Sequence, residues 1–312
     1  MTDDPLAGGR GDPPGGRART AWPLVKCMAG LLRRRGLRLG GLALVLMLVT
    51  GVGGQVLAIP FAVVMRLGLE WPAVGLYFYL LVGVLGGLLF GPLHGGYWLV
   101  VHRLLDGETA GFRTLFSGYV RLRRFLNLAA VSALVGGASM ALGWIWPRLP
   151  WDIAWAYVDN LVAPESPVAR LFWSIPGIHW FLGNVHAGAQ RLLLLPISWA
   201  LAEVAIGGKG WTAALAGSVR LTYRYRWPAL VAFAVVVAME FAGGLRLLLP
   251  DPHGSFGAAG WAMGALHLAG HGLITVVGLV LEAVAFVVVY REFLRRETDH
   301  AATALPPNGA SA

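Results

Sequence analysis

The sequence predicts an all-α membrane bundle of about six transmembrane helices, with two amphipathic helices lying at its surface. Three observations lead there. The 312-residue chain is 57% hydrophobic and only 13% charged, against roughly a quarter charged residues in an ordinary soluble domain. Six apolar runs, near 40–65, 73–101, 126–146, 187–206, 228–249 and 261–289, approach or exceed the about 20 residues a helix needs to cross hydrocarbon. The basic residues stand at the ends of these runs rather than on one polar domain with interleaved aromatics, so the net charge of +9 speaks for topology and against nucleic acid.

Residues 1–25 are rich in Gly, Pro and Arg and have little to bury, which reads as a disordered tail. That basic tail is expected to reach residue 38, the six-span domain to occupy 39–292, and a second tail to follow from 293 to 312. The lone Cys27 has no partner for a disulfide or a thiolate metal site. The second run carries Gly83, Gly87, Gly91 and Gly95, a smooth stripe for close helix contact, and the third has Ala129, Ala133, Gly137 and Ala141 at the same spacing; the two stripes are expected to face each other or neighbouring helices. The fourth contains Pro196, with Gln190, Arg191 and Glu203 near its ends. Segments on one side of the runs hold 20 Lys and Arg, those on the other side 3. This imbalance predicts a multi-pass protein of the cell's inner membrane with both termini in the cytoplasm. Trp144, Trp146 and Trp151 fall where the third run should meet the outer interface.

Between the second and third runs stands LLDGETAGFRTLFSGY, residues 104–119. At about 100° per residue, Phe112, Leu115, Phe116, Tyr119 and Leu122 share one arc, and Arg113, Ser117, Arg121 and Arg124 the other. A helix over 112–124 with an aromatic face and an arginine face should lie in the membrane interface and bind anionic lipid head groups through Arg121, Arg123 and Arg124. Asp106, Gly107 and Glu108 make the turn into it, and Thr109 is placed to cap its start. Only His102 accompanies those carboxylates, so the stretch reads as an elbow rather than a catalytic loop. The pattern recurs: WTAALAGSVR at 211–220 sets Trp211, Leu215, Gly217 and Arg220 against Phe112, Phe116, Gly118 and Arg121 of FRTLFSGYVR. Each copy follows a proline-containing span, GPLHGG or LPISWA, and a glycine turn, which reads as a parallel repeat of helical hairpins of the kind some transporters use. With these residues in view, GPLHGGYWLVVHRLLDGETAGFRTLFSGYVR and the later ALAGSVR resemble a family of bacterial six-helix membrane proteins of unknown function. That family is similar in pattern to the membrane domain found beside some glycerophosphodiester phosphodiesterases. The resemblance implies a helical bundle in the inner membrane, with no catalytic residues to carry over.

Ionisable groups within spans cost about 3 kcal/mol at the bilayer centre, so each asks for a reason. Glu240 lies mid-way along the fifth run and Glu282 in the inner half of the sixth; Arg246 points to a different face from Glu240. On the sixth run His267, His271, Thr275 and Glu282 share a stripe, which with Glu240 forms a candidate proton or ion path. The alternative is a set of interhelical hydrogen bonds that fix packing. His267 and His271 offer a metal only two ligands, to be completed by His179, His186 or His253, and no carboxylate or thiolate is fixed beside them, so neither metal nor cofactor is expected. GGKGW lacks the spacing of a phosphate loop, H-E-x-x-H and G-x-S-x-G are absent, and Ser139 with His267 matches intramembrane serine proteases only by coincidence. The leading expectation is a non-enzymatic assembly or scaffold element whose partners are the bilayer, anionic head groups and another membrane protein. The alternative is a proton-coupled secondary transporter of a small solute or ion.

Overall fold

The computed structural model describes residues 22–66, 72–145, 178–244 and 258–304, and these residues are helical with no strand. Long helices are α1 (Trp22–Arg66), α2 (Pro72–Leu105), α5 (Leu122–Ile145), α6 (Ile178–Ser198), α9 (Arg226–Gly244) and α10 (Ala258–Ala304). Short ones are α3 (Phe112–Leu115), α4 (Ser117–Val120), α7 (Ala200–Ala205) and the fourteen-residue α8 (Trp211–Arg224). Over the described residues each of the six apolar runs is helical, the fourth being divided at Trp199 between α6 and α7. Four of the helices, α1, α2, α5 and α10, contain stretches long and apolar enough to cross a membrane. On α1, Leu44, Leu48, Val52, Val56, Ile59 and Val63 form one outward row of exposed side chains, a surface that suits lipid and not water.

Both ends of the bundle reach further than expected. The stretch before residue 38 is helical from Trp22, and Leu24, Cys27, Met28 and Leu31 are buried in the core. This apolar stretch is short and is separated from the first long run by Arg33, Arg34, Arg35 and Arg38, so counting runs of spanning length passes over it. At the other end α10 continues to Ala304 and Phe293 is fully buried, so the packed domain does not stop at 292.

The six long helices form a ring in chain order. α1 packs on α2, α2 on α5, α5 on α6, α6 on α9, α9 on α10, and α10 returns to α1. Neighbours in sequence are neighbours in space, as short connections favour. The tightest of these contacts is α2 on α5, made by glycines. A methyl group on Gly83 would sit 2.7 Å from the Gly136 carbonyl oxygen, one on Gly87 would overlap the Ser132–Ala133 backbone, and one on Gly95 would lie 2.6 Å from Leu128. On α5 these glycines meet Leu128, Ser132, the Ala133 backbone and Gly136, while Gly137 lies against Val84 of α2 and Ala129 and Ala133 are buried. Backbone approach, not side-chain size alone, selects the register.

The elbow is not one helix. Leu115 is fully buried, Gly118 presses on the Pro92 carbonyl, and Arg121 takes an extended conformation (φ −110°, ψ 115°) that separates α4 from α5. A continuous helix over 112–124 would carry Gly118 off that contact. The start of α3 is Gly111, with no side-chain cap, so Thr109 does not serve as one. Gly107 (φ 78°) and Gly208 (φ 67°) close the two turns in the left-handed region that glycine alone enters cheaply.

In both halves the neighbouring elbow hydrogen-bonds to the backbone beside the proline of the preceding helix, Pro92 in one and Pro196 in the other. The Tyr119 hydroxyl donates to the Leu89 carbonyl at 2.6 Å; the Ser218 hydroxyl donates to the Pro196 carbonyl at 2.6 Å and accepts from the Trp199 N–H at 3.0 Å. Tyr119 and Ser218 each follow the paired glycines Gly118 and Gly217. Across the halves, Asn127 accepts from the Trp211 N–H at the start of α8, and Arg124 donates to the Ala205 carbonyl at the end of α7.

Replacing Gly87 with Leu is expected to lower the melting temperature of the detergent-solubilised protein sharply, since overpacking costs about 1–3 kcal/mol or more. Gly86→Leu, one residue along with nothing within 4 Å of the added atom, should leave it unchanged. Ser218→Ala orphans a buried donor and should cost about 1–3 kcal/mol in the same measurement.

Candidate functional site: a cavity at the centre of the ring

A cavity of about 510 Å³ lies inside the ring and is lined by residues of all six long helices. It exists because small residues leave the space unfilled: Gly54 of α1 and Gly86 of α2 both border it, and neither has an atom within 4 Å of where a Cβ would stand. At the elbow end its wall is aromatic. Trp98 stacks on Phe286 at 5.3 Å, Phe286 meets Trp199 at 4.5 Å, Trp199 meets Phe293 at 5.0 Å, and Tyr225 stacks on Phe293 at 5.6 Å. From Val280 to Phe293 α10 is buried almost all round, so this end of the ring is closed.

Only eight of the thirty lining residues are polar: Thr50, His94, Tyr97, Ser132, Ser139, Arg191, Ser198 and Glu282. Three of these hydroxyls are committed to backbone carbonyls, Thr50 to Leu46 at 2.8 Å, Tyr97 to Leu39 at 3.0 Å and Ser198 to Leu194 at 2.9 Å. They stiffen the wall. His94 places Nδ1 3.0 Å from the Phe90 carbonyl. A carbonyl only accepts, so Nδ1 carries the proton and Nε2 is left as an acceptor in the neutral ring. Glu282 stands on α10 within electrostatic reach of that imidazole. The pair forms a protonatable patch at the aromatic end of an otherwise apolar chamber.

Of the candidate path, then, Glu282 lines the cavity, while Thr275 is half-buried outside its wall. The side chains of Glu240, His267, His271, His179 and His186, and the whole of Arg246 and His253, lie outside the described residues. Among the described residues no group of three metal-ligating side chains occurs. His94 and Arg191 are the cavity residues that sequence reasoning missed. His94 was hidden in GPLHGG, read there for its proline and glycines; Arg191 was taken for the end of a run, but α6 starts thirteen residues before it.

The elbow residues occupy the surface. Phe112, Phe116 and Tyr119 are exposed with Arg121 and Arg123, as are Trp211 and Arg220 on α8, whereas Arg124 is half-buried at the α7 carbonyl. α8 buries Ala214, Gly217, Ser218, Leu221 and Thr222 on its other face. A second, separate charge site lies beneath it. Glu203 is fully buried, pairs with Lys209, faces the Tyr290 hydroxyl and packs its carboxylate on Gly217. At the first turn Asp106 pairs with Arg291 at 2.8 Å and approaches His102 at 3.5 Å. Successive residues of α10, Tyr290 and Arg291, therefore hold the two glycine turns.

The two carboxylates should answer substitution in opposite ways. Glu203→Gln weakens a buried ion pair and should lower thermal stability by about 1 kcal/mol or more. Glu282→Gln removes a charge facing an apolar chamber and should leave the melting temperature unchanged or raised. Comparison of the chain with protein-family models, with curated proteins and with solved structures finds no match.

Proposed function

We propose that this chain is a six-crossing membrane protein that takes a small solute into its central cavity and couples its movement to protonation at Glu282 and His94. The observation that carries the reading is a chamber walled by all six long helices with an ionisable pair inside it. A bundle whose task is only to hold its helices together gains most from a filled interior, because each void forfeits packing contacts. The aromatic cluster at the elbow end supports one further step: the chamber is shut toward the arginine-rich side, and a rearrangement of Trp98, Trp199 and Phe286 opens it there. In the charge-based topology that side is the cytoplasm of a cell with this protein in its inner membrane. α6 and α9 supply the two remaining crossings.

The scaffold reading keeps one observation of its own. Exposed aromatics and exposed arginines alternate at both elbows, at Phe112, Phe116, Tyr119, Arg121 and Arg123 and again at Trp211 and Arg220, a combination that suits a surface of anionic head groups. The two readings are compatible in one molecule, with elbows seating the ring and the ring carrying the solute. The resemblance to six-helix membrane proteins of unknown function agrees with either.

The test is a proteoliposome assay with a pH-sensitive dye inside. Addition of a panel of weakly acidic, weakly basic and neutral amphiphiles should shift internal pH through the wild-type protein for at least one compound. Glu282→Gln should lose that signal, and His94→Ala should reduce it at least tenfold, while Arg121→Gln with Arg123→Gln should alter only vesicle association. Unchanged flux in Glu282→Gln removes the proton link.

A further inference from the structure

We propose that the solute is a single-chain amphiphile: a hydrocarbon chain that lies along α2 inside the ring, with a hydrogen-bond-donating head at Glu282 and His94. The inference rests on the cavity reading above and names the substrate class for it.

The shape argues for a chain. Lining residues on α2 run from Val82 to Trp98, about 24 Å at the helical rise of about 1.5 Å per residue. This is longer than the depth of one leaflet, about 15 Å if the hydrocarbon core is about 30 Å thick. A cavity of about 510 Å³ drawn out along that length is elongated rather than round, a form that suits a chain. A compact polar solute would leave most of such a slot empty.

The wall chemistry agrees. Most of the lining is apolar or glycine, with Leu46, Leu57, Val82, Val135, Met140, Gly54 and Gly86 among it; besides His94 and Glu282 its polar members are Thr50, Tyr97, Ser132, Ser139, Arg191 and Ser198. Thr50, Tyr97 and Ser198 spend their hydroxyl protons on backbone carbonyls, which leaves few partners for a continuous file of water. An inorganic ion would lack the ring of oxygens needed to replace its hydration shell.

The head follows from the donor and acceptor inventory. With Nδ1 donating to Phe90, the neutral His94 ring turns an accepting Nε2 to the cavity, and an ionised Glu282 only accepts. An ammonium group can donate to both at once and a hydroxyl, with its single proton, to one of them; an ester can donate to neither. Protonation of either residue turns an acceptor into a donor and weakens the grip on such a head, which is the link between proton movement and release.

The experiment uses the full chain in nanodiscs with a photoreactive diazirine analogue of hexadecanol, followed by mapping of the labelled peptides. Labelling is expected on cavity-lining residues of α1, α2 and α5. Unlabelled hexadecanol or hexadecylamine should compete, and butanol and the methyl ester of hexadecanoic acid should not. Gly54→Leu and Gly86→Leu, which fill open space, should each cut cavity labelling at least fivefold with the melting temperature kept. Labelling confined to outward residues such as Leu44, Leu48 and Val52 overturns the proposal, and equal competition by the methyl ester overturns the assignment of the head. Loss of proton-linked flux with retained labelling defeats the transport reading alone. Flux of short solutes without cavity labelling defeats the chain alone.

Discussion

Two hydroxyl groups of the elbows tie the two halves of this bundle to the proline-containing helices they follow. Each binds the backbone within three residues of Pro92 or Pro196, and every backbone group at membrane depth has to find a partner inside the protein. Tyr119 supplies one partner and Ser218 two. Both sit on the segment that follows a left-handed glycine turn. The elbow is therefore not an ornament between spans. It is a piece that docks by hydrogen bonds onto the backbone of a helix that lines the cavity, and in the second half the Ser218 hydroxyl bridges the join between α6 and α7.

The same economy of backbone explains where space is lost and where it is left. Gly83, Gly87 and Gly91 bring α2 against α5 so closely that a methyl group has no room, whereas Gly54 and Gly86 face open volume. Glycine on one face closes the ring and glycine on the other empties its middle. At the elbow end the pattern reverses. Tyr290 and Arg291 of α10 reach the second and first turns respectively, Phe286 and Phe293 fill the interior with Trp199 between them, and the chamber stops. One helix thus ties both halves together and carries Glu282, the carboxylate that lines the chamber together with Arg191 of α6.

Much of this was legible in the residues. Six apolar runs became six long helices because hydrophobic length is a one-dimensional quantity, and the glycine ladder of α2 announced a close contact because its period matched the helix. What escaped was relational. On α5 the contact takes in Leu128, Ser132 and Gly136 beside the alanine stripe, since only the backbone path decides which of two adjacent faces is met. The helix expected over 112–124 broke at Phe116 and Arg121 because Gly118 answers to Pro92, a contact between residues far apart in sequence. Trp22 to Leu31 escapes notice because it is too short to span a membrane by itself and is cut off from the first long run by Arg33, Arg34, Arg35 and Arg38. His94 drew no notice because a neutral imidazole carries little of the insertion penalty that made Glu240 and Glu282 conspicuous.

The distinction between glue and function can be argued from where polar side chains terminate. Thr50, Tyr97, Tyr119, Ser198 and Ser218 all end on a backbone partner, and the buried Glu203 carboxylate pairs with Lys209. These groups are satisfied and hold structure. His94 commits only Nδ1, and Glu282 faces the chamber with no hydrogen bond among the described residues. Leaving a carboxylate and an imidazole nitrogen open in an apolar enclosure costs stability that packing alone would have removed by substitution. Such a cost persists where the open groups are used, and a head group arriving from the chamber is what completes them.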